Sequence, residues 1–318
     1  MKTKLGVVMD PLESVNPKKD STLAMMQAAQ KRDWDLFEIQ QSGIFLTKDQ
    51  VFGNCRKVSL HFDQPTHFEV QSSKTMSLEE MDVVLFRKDP PFNMEYLHTT
   101  YLLEVLEKRG IPVLNKPSSI RDCNEKLFAL EFSDCCPEYL VSNNQKMLRD
   151  FYDEQQDVVF KPLDGMGGSS VFRVSPNDKN LGVILETLTQ HGKCQIMAQR
   201  YLPAIKHGDK RILIINGEPI PYALARIPAE NENRGNLAAG GSGMGKNLTK
   251  RDRFICDTVA GSLVSRGLYF VGIDVIGDYL TEINVTCPTC IRELDQAFGL
   301  NIGDKYIEFI TQEFLSND

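Results

Sequence analysis

The chain has 318 residues, of which 42% are hydrophobic and 25% are charged, a balance typical of a globular protein with two or three domains. Its net charge of −7 disfavours nucleic acid as a general partner but allows a local basic site for phosphates. No apolar run reaches the length of a membrane-spanning helix, and the amino-terminal segment lacks the apolar core of a signal peptide. We therefore expect a cytoplasmic protein.

The amino-terminal third alternates strand-like and helix-like segments. Strands are predicted at 4–9, 34–39, 81–87 and 111–114, and helices at 20–31, with Asp20 as N-cap, and at 93–109, ending before Gly110. This alternation predicts a parallel α/β sheet. Because no GxGxxG motif follows the first strand, dinucleotide binding is not expected there. The segment 41–74 has no clear periodicity, and we assign it no structure.

The remainder of the chain begins with a predicted helix at 117–132, for which Ser118 is the candidate cap. Short strands follow at 158–162, 170–174, 195–200 and 210–215. Asn216-Gly217 is a type I′ hairpin signal into a strand at 218–226, and a helix at 251–266 ends at Gly267. Composition changes near residue 120 and near 201–203, which predicts domains 1–122, 123–202 and 203–318.

The stretch 270–286 carries the strongest chemical signal. Two apolar, β-branched runs flank a Gly-Asp turn, and three oxygen-bearing side chains interrupt them: Asp274, Glu282 and Asn284. Carboxylates buried among valine and isoleucine repel each other unless a cation neutralises them. Oxygen ligands suit Mg²⁺, which binds one or two carboxylates together with substrate phosphates. The alternative is a surface hairpin with a hydrated polar face.

The pairing register of this hairpin decides between those two interpretations. A two-residue loop at Gly277-Asp278 places Asp274 opposite Thr281 and turns Glu282 to the other face. A three-residue loop at 277–279 places Asp274 opposite Glu282, with all three polar groups together. We expect the longer loop. It makes Asp274 and Glu282 face each other, which would be destabilising without a metal but favourable around a bound cation.

A glycine-rich loop at 161–170 is a second candidate for phosphate contact. Gly165, Gly167 and Gly168 let the backbone approach an anion, and Lys161 lies at a strand end beside them. A plain hairpin turn is the alternative. The segment 240–247 has the GxxxxGK spacing, but Asn247 replaces the serine or threonine of a P-loop and no apolar strand precedes it. We therefore reject a P-loop.

The stretch 227–246 is rich in glycine, asparagine and alanine, which predicts a long mobile loop. Such loops are often active-site lids, and Arg234 within it is a candidate for a substrate anion. Asp209, Arg211 and Arg226 lie on the neighbouring predicted hairpin, where arginine forks suit carboxylates or phosphates. The alternatives are a disordered surface loop and solvated charges on an edge strand.

Eight cysteines are scattered along the chain, which predicts reduced thiols. Cys287 and Cys290 have CxxC spacing, typical of redox motifs and zinc sites. A zinc site needs two further ligands, and the sequence has no second CxxC. Because this pair follows the hairpin strand rather than opening a helix of a thioredoxin-like unit, we favour a structural loop over a redox pair.

Taken in order, these segments resemble the bacterial glutathione synthetase family of the ATP-grasp superfamily over nearly the whole chain. The matching runs are VMDP at 8–11, FRKDPPF at 86–92, RDCNEKL at 121–127, the loop 161–168, YLPAIK at 201–206, RGNLAAGG at 234–241 and TEINV at 281–285. The resemblance implies an α/β, ATP-grasp fold with three domains and ATP between the central and carboxy-terminal ones. Cys287, Ser242 and Met244 depart from the expected pattern.

The resemblance also implies site residues. ATP would be held by Lys126, Lys161, Gly165, Gly167, Gly168, Gln199, Arg200, Tyr201, Leu202 and Asp209. Mg²⁺, or Mn²⁺ in its place, would be bound by Asp274, Glu282 and Asn284. The catalytic groups would be Arg211, Arg226, Arg234 and Asn236, and Arg292 would bind a substrate carboxylate. Arg87 and Asp89 are further candidates for substrate binding because they lie at a strand end, where the crevice of such a sheet is expected.

The family reaction joins γ-glutamylcysteine to glycine through an acyl phosphate, and the family implies a homotetramer. The catalytic arginines would stabilise the charged intermediate. Another ATP-grasp carboxylate–amine ligase, or an ATP-binding regulatory protein with this fold, is the alternative.

Overall fold

The computed structural model describes residues 2–64, 66–165, 167–230, 235 and 240–316. The strands of this part form three sheets, which follow one another along the chain. Strands and helices are interspersed along the described chain, so the fold is mixed α/β. Predicted site residues 234 and 236 lie outside the described residues.

The first sheet has seven strands: β1 (Lys4–Met9), β2 (Asp35–Gln40), β3 (Phe45–Thr47), β4 (Gln50–Leu60), β5 (Phe68–Ser77), β6 (Val83–Phe86) and β7 (Val113–Leu114). Their order is β3-β4-β2-β1-β6-β7, with β5 on β4. The pairs β1–β2, β1–β6 and β6–β7 are parallel, as the sequence predicts.

The unassigned segment 41–74 contributes β3, β4 and most of β5. Strands β4 and β5 pair as a long antiparallel hairpin. Most of β5 is solvent-exposed on both faces. A strand without a buried face has no apolar alternation, which explains why its sequence shows no strand pattern.

Helices α1 (Ser21–Lys31) and α2 (Met94–Lys108) flank this sheet. The Asp20 side chain accepts a hydrogen bond from the Leu23 amide, which confirms the predicted cap. Helix α2 is capped in the same way by Asn93. These short-range signals place both helices correctly.

The predicted helix at 117–132 is wrong beyond Asp122. Helix α3 spans only Pro117–Asp122, Lys116 rather than Ser118 occupies its N-cap, and a 3₁₀ segment at Phe128–Cys135 follows. The Asn124 side chain accepts hydrogen bonds from the amides of Lys126 and Leu127. A side chain that bonds the backbone locally competes with the helix, and the turn between the two segments carries Lys126.

The second sheet is antiparallel, in the order β10-β9-β11-β8. Its strands are β8 (Tyr139–Ser142), β9 (Val158–Pro162), β10 (Phe172–Val174) and β11 (Ile196–Arg200). Helices α4 (Gln145–Gln155) and α5 (Leu181–Leu188) pack on it through a small apolar cluster. The glycine-rich loop connects β9 to β10.

The third sheet has the order β14-β13-β12-β15-β16. Its strands are β12 (Asp209–Ile215), β13 (Glu218–Ile227), β14 (Ser242–Asn247), β15 (Phe270–Ile276) and β16 (Tyr279–Asn284). Asn216 and Gly217 both have positive φ, at 49° and 79°, as a type I′ turn requires. The predicted hairpin is therefore confirmed.

Part of the predicted loop 227–246 is in fact strand β14, so Ser242 and Met244 lie on a strand paired with β13. A Cβ on Gly245 would lie 2.5 Å from the Phe298 ring. Glycine thus lets β14 pass close to helix α7 (Ile291–Phe298). The same glycines give the segment its loop-like composition.

Helices α6 (Lys250–Ser265), α7 and α8 (Ile302–Ile310) complete the fold. Helix α8 packs against α1, and one apolar cluster joins Leu23, Phe270 and Ile307. The first and third sheets therefore share a core. Among the helices in the described ranges, none is long and apolar enough to cross a membrane.

We predict that replacing Asp20 with alanine lowers the free energy of unfolding by about 1 kcal/mol, because the Leu23 amide loses its cap acceptor. Urea denaturation measures the change. The control is Asp20→Asn, which keeps an acceptor oxygen and removes the charge. Equal stability of the alanine variant and the wild type would contradict the capping role.

Candidate active site

A cavity of about 370 Å³ is lined by residues associated with all three sheets. Asp89, just after β6, comes from the first, β9 and β11 supply the second, and β12, β13 and β16 supply the third. The predicted site residues among its lining are Asp89, Lys126, Lys161, Gly165, Gly167, Gly168, Gln199, Arg200, Tyr201, Leu202, Asp209, Arg211, Arg226, Glu282 and Asn284. The fold thus brings together most of the positions that the sequence singles out.

Two buried lysines converge on one carboxylate in this cavity. The Nζ atoms of Lys126 and Lys161 lie 3.7 Å and 3.8 Å from Glu282 Oε1. Burial lowers the pKa of Lys161, whereas Glu282 and Glu125 raise that of Lys126 against the effect of burial. Their two ammonium groups form a compact basic centre suited to phosphate oxygens.

Glu125 completes this cluster. It accepts a hydrogen bond from Lys126, and its main-chain carbonyl accepts one from Ile283 at 2.8 Å. Burial and the nearby charge of Glu282 raise the pKa of Glu125 to about 7. The sequence analysis missed Glu125, although it directly precedes Lys126 within a matching run.

The glycine-rich loop closes one side of the basic centre. Gly167, Gly168 and Ser170 all have positive φ, at 62°, 78° and 57°, a conformation that glycine adopts without steric cost. Lys126 Nζ donates to Gly165 O at 2.8 Å, so the loop is tied to the lysine beneath it. Backbone amides can therefore approach an anion here.

The opposite end of the cavity has a mixed apolar and polar lining. Leu202 and Ile205 are buried there, and the Arg173 guanidinium stacks on the Tyr201 ring at 3.6 Å. Gln199 Oε1 accepts from Lys161 at 3.2 Å, whereas Gln199 Nε2 is buried without a partner among the described residues. A flat ring with donor and acceptor edges fits this arrangement. Arg173 is another residue that the sequence analysis did not single out.

Four buried charges form an ion-pair network on β12, β13 and β15. Arg211 binds Asp274 through Nε and Nη2, the latter at 2.9 Å, and Arg226 bridges Asp274 and Asp209. Burial opposes ionisation of Asp274, but the two arginines outweigh it and lower its pKa to about 2. Burial raises the pKa of Asp209 to about 6. The four charges sum to zero.

The hairpin β15–β16 has the predicted pairing but not the predicted loop. Asp274 lies opposite Glu282, which is confirmed. The turn is nevertheless the two-residue Gly277-Asp278, since Ile276 pairs with Tyr279, and the three-residue loop is wrong. An irregularity after Asp274 shifts the register by one residue and brings Glu282 to the same face.

The donors on this hairpin fit a divalent cation that prefers oxygen. Asn284 Nδ2 donates to Gly272 O and Asp274 Oδ2, each at 3.2 Å, which leaves the side-chain carbonyl oxygen as an acceptor. The Glu282 carboxylate is partly exposed to the cavity and makes only long contacts with lysines. Asp274 is already engaged by two arginines, so a cation there would compete with them.

Of the three predicted substrate-binding residues, only one lines the cavity. Asp89 lines it, and burial and nearby Asp10 raise the pKa of the Asp89 carboxyl. Arg87 instead donates to Pro288 O at 2.9 Å and to Thr22 at 3.2 Å. Arg292 binds Gln27 at 2.8 Å and stacks over Phe62, away from the cavity.

The CxxC pair also lines the cavity. Cys287 and Cys290 are both free thiols. Burial raises the pKa of Cys287 to about 12 and raises that of Cys290 as well. Because the thiolate is the reactive form, these values support the structural-loop interpretation.

We predict that iodoacetamide modifies Cys287 in the native protein about 1,000-fold more slowly than an ordinary thiol near neutral pH. The pKa of about 12, against 9.0 for an unperturbed thiol, reduces the thiolate fraction by that factor. Mass spectrometry of tryptic peptides measures the rate. The urea-unfolded protein is the control, and equal rates in both states would refute the prediction.

Two family models match the chain. The prokaryotic glutathione synthetase N-terminal domain matches residues 3–121, and the ATP-grasp domain of the same family matches 125–299. The chain is 56% identical over 313 residues to a glutathione synthetase of Pseudomonas aeruginosa, covering 98% of this chain and 99% of that protein. It is 50% identical over 307 residues to one of Shigella flexneri, covering 96% and 97%.

Solved structures show the same fold at low sequence identity. The D-cycloserine synthetase DcsG aligns with a TM-score of 0.67 at 14% identity, covering 98% of this chain and 99% of that one. A D-alanyl-alanine synthetase A from Vibrio cholerae aligns with a TM-score of 0.60 at 15% identity, covering 99% of both. The fold is therefore the ATP-grasp fold, and the chain belongs to the prokaryotic glutathione synthetase family.

Proposed function

We propose that this member of the family is an ATP-dependent ligase that joins γ-glutamylcysteine and glycine to give glutathione, ADP and phosphate. The observation that carries the proposal is the convergence of Lys126, Lys161 and Glu282 in the same cavity as Arg211 and Arg226. The lysines suit the phosphates of ATP, and the arginines suit the acyl phosphate that forms on the substrate carboxylate.

ATP lies with its phosphates at the two lysines. Lys126 and Lys161 contact phosphate oxygens, and the glycine-rich loop covers them with backbone amides. The base occupies the end of the cavity formed by Gln199, Tyr201 and Leu202, where Gln199 Nε2 is a buried donor in need of an acceptor. Asp209, with its buried Oδ1 also lacking a partner in the described ranges, binds the nucleotide between the two ends.

The reaction has two steps. A carboxylate oxygen of the cysteinyl group attacks the γ-phosphorus of ATP, the bond to the bridging oxygen breaks, and ADP leaves. The glycine amine then attacks the acyl carbon, the C–O bond to the phosphate breaks, and phosphate leaves as the amine loses a proton. Arg211 and Arg226 stabilise the charge on the acyl phosphate and the tetrahedral intermediate.

Arg226 is well prepared for this role. It is 4% exposed, and its Nε is buried without a partner in the part of the chain that the structure describes. A buried guanidinium with an unused donor gains more from an anion than an exposed one does. Arg234 and Asn236, outside the described residues, remain proposed catalytic groups of the same step.

A divalent cation completes the site. Glu282 and Asn284 would hold Mg²⁺ or Mn²⁺ directly, and Asp274 would join them as a third donor or keep Asn284 in place through its hydrogen bond. When bound, the cation neutralises phosphate charge in the transition state. Asp89, which lines the cavity, remains a proposed ligand for the substrate ammonium group, whereas Arg87 and Arg292 do not line it and are not assigned to the substrate.

The setting of the enzyme is also part of the proposal. Eight free cysteines suit a reducing compartment, and we assign the enzyme to the cytoplasm. The homotetramer implied by the family is checked by light scattering on the purified chain.

The direct test is phosphate release from ATP and Mg²⁺ with γ-glutamylcysteine, with and without glycine, followed by mass analysis of the product. We expect glycine-dependent release with formation of glutathione. D-Alanine in place of both substrates is the control for another carboxylate–amine ligase. Tight ATP binding without turnover on either set would overturn the proposal in favour of a non-catalytic ATP-binding protein.

We predict that Glu282→Ala lowers the rate of phosphate release at least about 100-fold, because the carboxylate that faces both lysines and the cation is lost. Glu218→Ala, which removes an exposed carboxylate at the start of β13, is the matched control. A near wild-type rate for Glu282→Ala would refute the metal assignment.

A further inference from the structure

Asn115 makes an unusually complete set of hydrogen bonds to the hairpin β15–β16. It follows β7 directly and is 4% exposed. Its Nδ2 donates to Phe270 O and Val285 O, both at 2.8 Å, and its Oδ1 accepts from the amides of Tyr269 and Phe270, both at 2.9 Å. An amide group has two donor hydrogens and two acceptor lone pairs, so this side chain is fully used.

These bonds lie where the hairpin opens. The last ladder pair of β15 and β16 is Gly272 with Asn284. Val285 follows Asn284, and Phe270 lies two residues before Gly272. The Asn115 side chain bonds to both strands just beyond that pair, so it closes the end of the hairpin opposite the turn. It therefore fixes the peptide that follows Asn284.

Two other hydrogen bonds join the segment after β7 to the residues that follow α6, along a contact that we call the seam. Lys116 N donates to Gly267 O at 3.1 Å, and Ser119 Oγ donates to Arg266 O. Both hold the chain after β7 against the end of α6 and do not touch the hairpin. Asn115 alone among these three joins the first sheet to both strands that carry the cation donors.

We infer that Asn115 is a positioning residue for the cation site, since it holds the end of β16 that carries Asn284 against the start of β15. The inference rests on the proposed function, in which Glu282 and Asn284 hold the cation. Groups that orient metal ligands through hydrogen bonds typically change metal affinity about 10–100-fold when they are lost. The donors stay chemically intact without Asn115, but the end of β16 that carries Asn284 is no longer fixed relative to β15.

Two substitutions of Asn115 separate its roles. Asn115→Asp keeps the acceptor oxygen for Tyr269 and Phe270 but directs a carboxylate oxygen at the carbonyls of Phe270 and Val285. Asn115→Ala removes all four bonds. Ser119→Ala is the matched control, because it removes one buried hydrogen bond on the same seam and leaves the hairpin untouched.

The main measurement is Mn²⁺ affinity and stoichiometry by electron paramagnetic resonance, on the full chain with a non-hydrolysable ATP analogue. We expect Mn²⁺ to bind about 10–100-fold more weakly to Asn115→Asp than to the wild type. Ser119→Ala should match the wild type. In steady-state assays the KM for Mg²⁺ should rise by a similar factor, while kcat at saturating Mg²⁺ stays within about threefold.

A purely structural role gives a different result. Partial unfolding lowers the number of Mn²⁺ ions bound per chain and lowers kcat, but the molecules that bind do so with wild-type affinity. That pattern in Asn115→Asp overturns the inference, even if Asn115→Ala fails to fold. Glu282→Ala serves as a reference: equal Mn²⁺ binding by that variant and the wild type would refute the proposed cation site itself.

Discussion

The site depends on a buried, electrically balanced ion-pair network in the third sheet. Arg211 lies directly opposite Asp274 in the β12–β15 ladder, and Asp209 lies opposite Arg226 in the β12–β13 ladder. All four residues are at most 9% exposed. Removing one partner of a buried pair leaves an uncompensated charge. The strand register is thus constrained by charge as well as by apolar packing.

This network also explains why the cavity can receive a polyanion. Asp274 neutralises Arg211 and shares Arg226 with Asp209, so the arginines remain charged in a poorly hydrated place. On the neighbouring strand β16, Glu282 balances two lysines in a similar way but at distances beyond hydrogen bonding. Phosphate oxygens can replace the long contacts between Glu282 and the lysines at little cost in free energy. The arginines keep their geometry because each is paired with a carboxylate. A phosphate therefore meets preorganised cations rather than flexible ones.

The sequence predicts best where a local signal decides the structure. The Asp20 cap, the Asn216-Gly217 turn and the apolar strands of the first sheet are of this kind. It fails where two local preferences compete or where a strand lacks a buried face. Asn124 ends a helix that the apolar spacing would continue, and exposed β5 shows no alternation. Gly245, which β14 needs for close packing on α7, adds to a glycine-rich composition that resembles a loop.

The hairpin that carries Asp274, Glu282 and Asn284 shows where such prediction succeeds and where it stops. Its oxygen-bearing residues predict the pairing of Asp274 with Glu282. Two carboxylates that face each other on neighbouring strands are destabilising unless a cation neutralises them, so their pairing indicates a cation site. The sequence cannot show that a two-residue turn plus a bulge achieves this pairing, since both routes place the same residues opposite each other. Nor does it reveal Asn115, which acts from another sheet, 155 residues away from Phe270.

Asn115 joins the first sheet to the open end of the hairpin in the third sheet. The turn end of the hairpin is held by its own ladder, and the middle by the arginines on Asp274. The open end is joined to the first sheet through a neutral amide that supplies both donors and acceptors. A charged side chain there would face carbonyl oxygens or amide hydrogens of the wrong sign. Through Asn115 the first sheet thereby fixes the end of the strand that carries Asn284, without adding charge beside a network whose charges already balance.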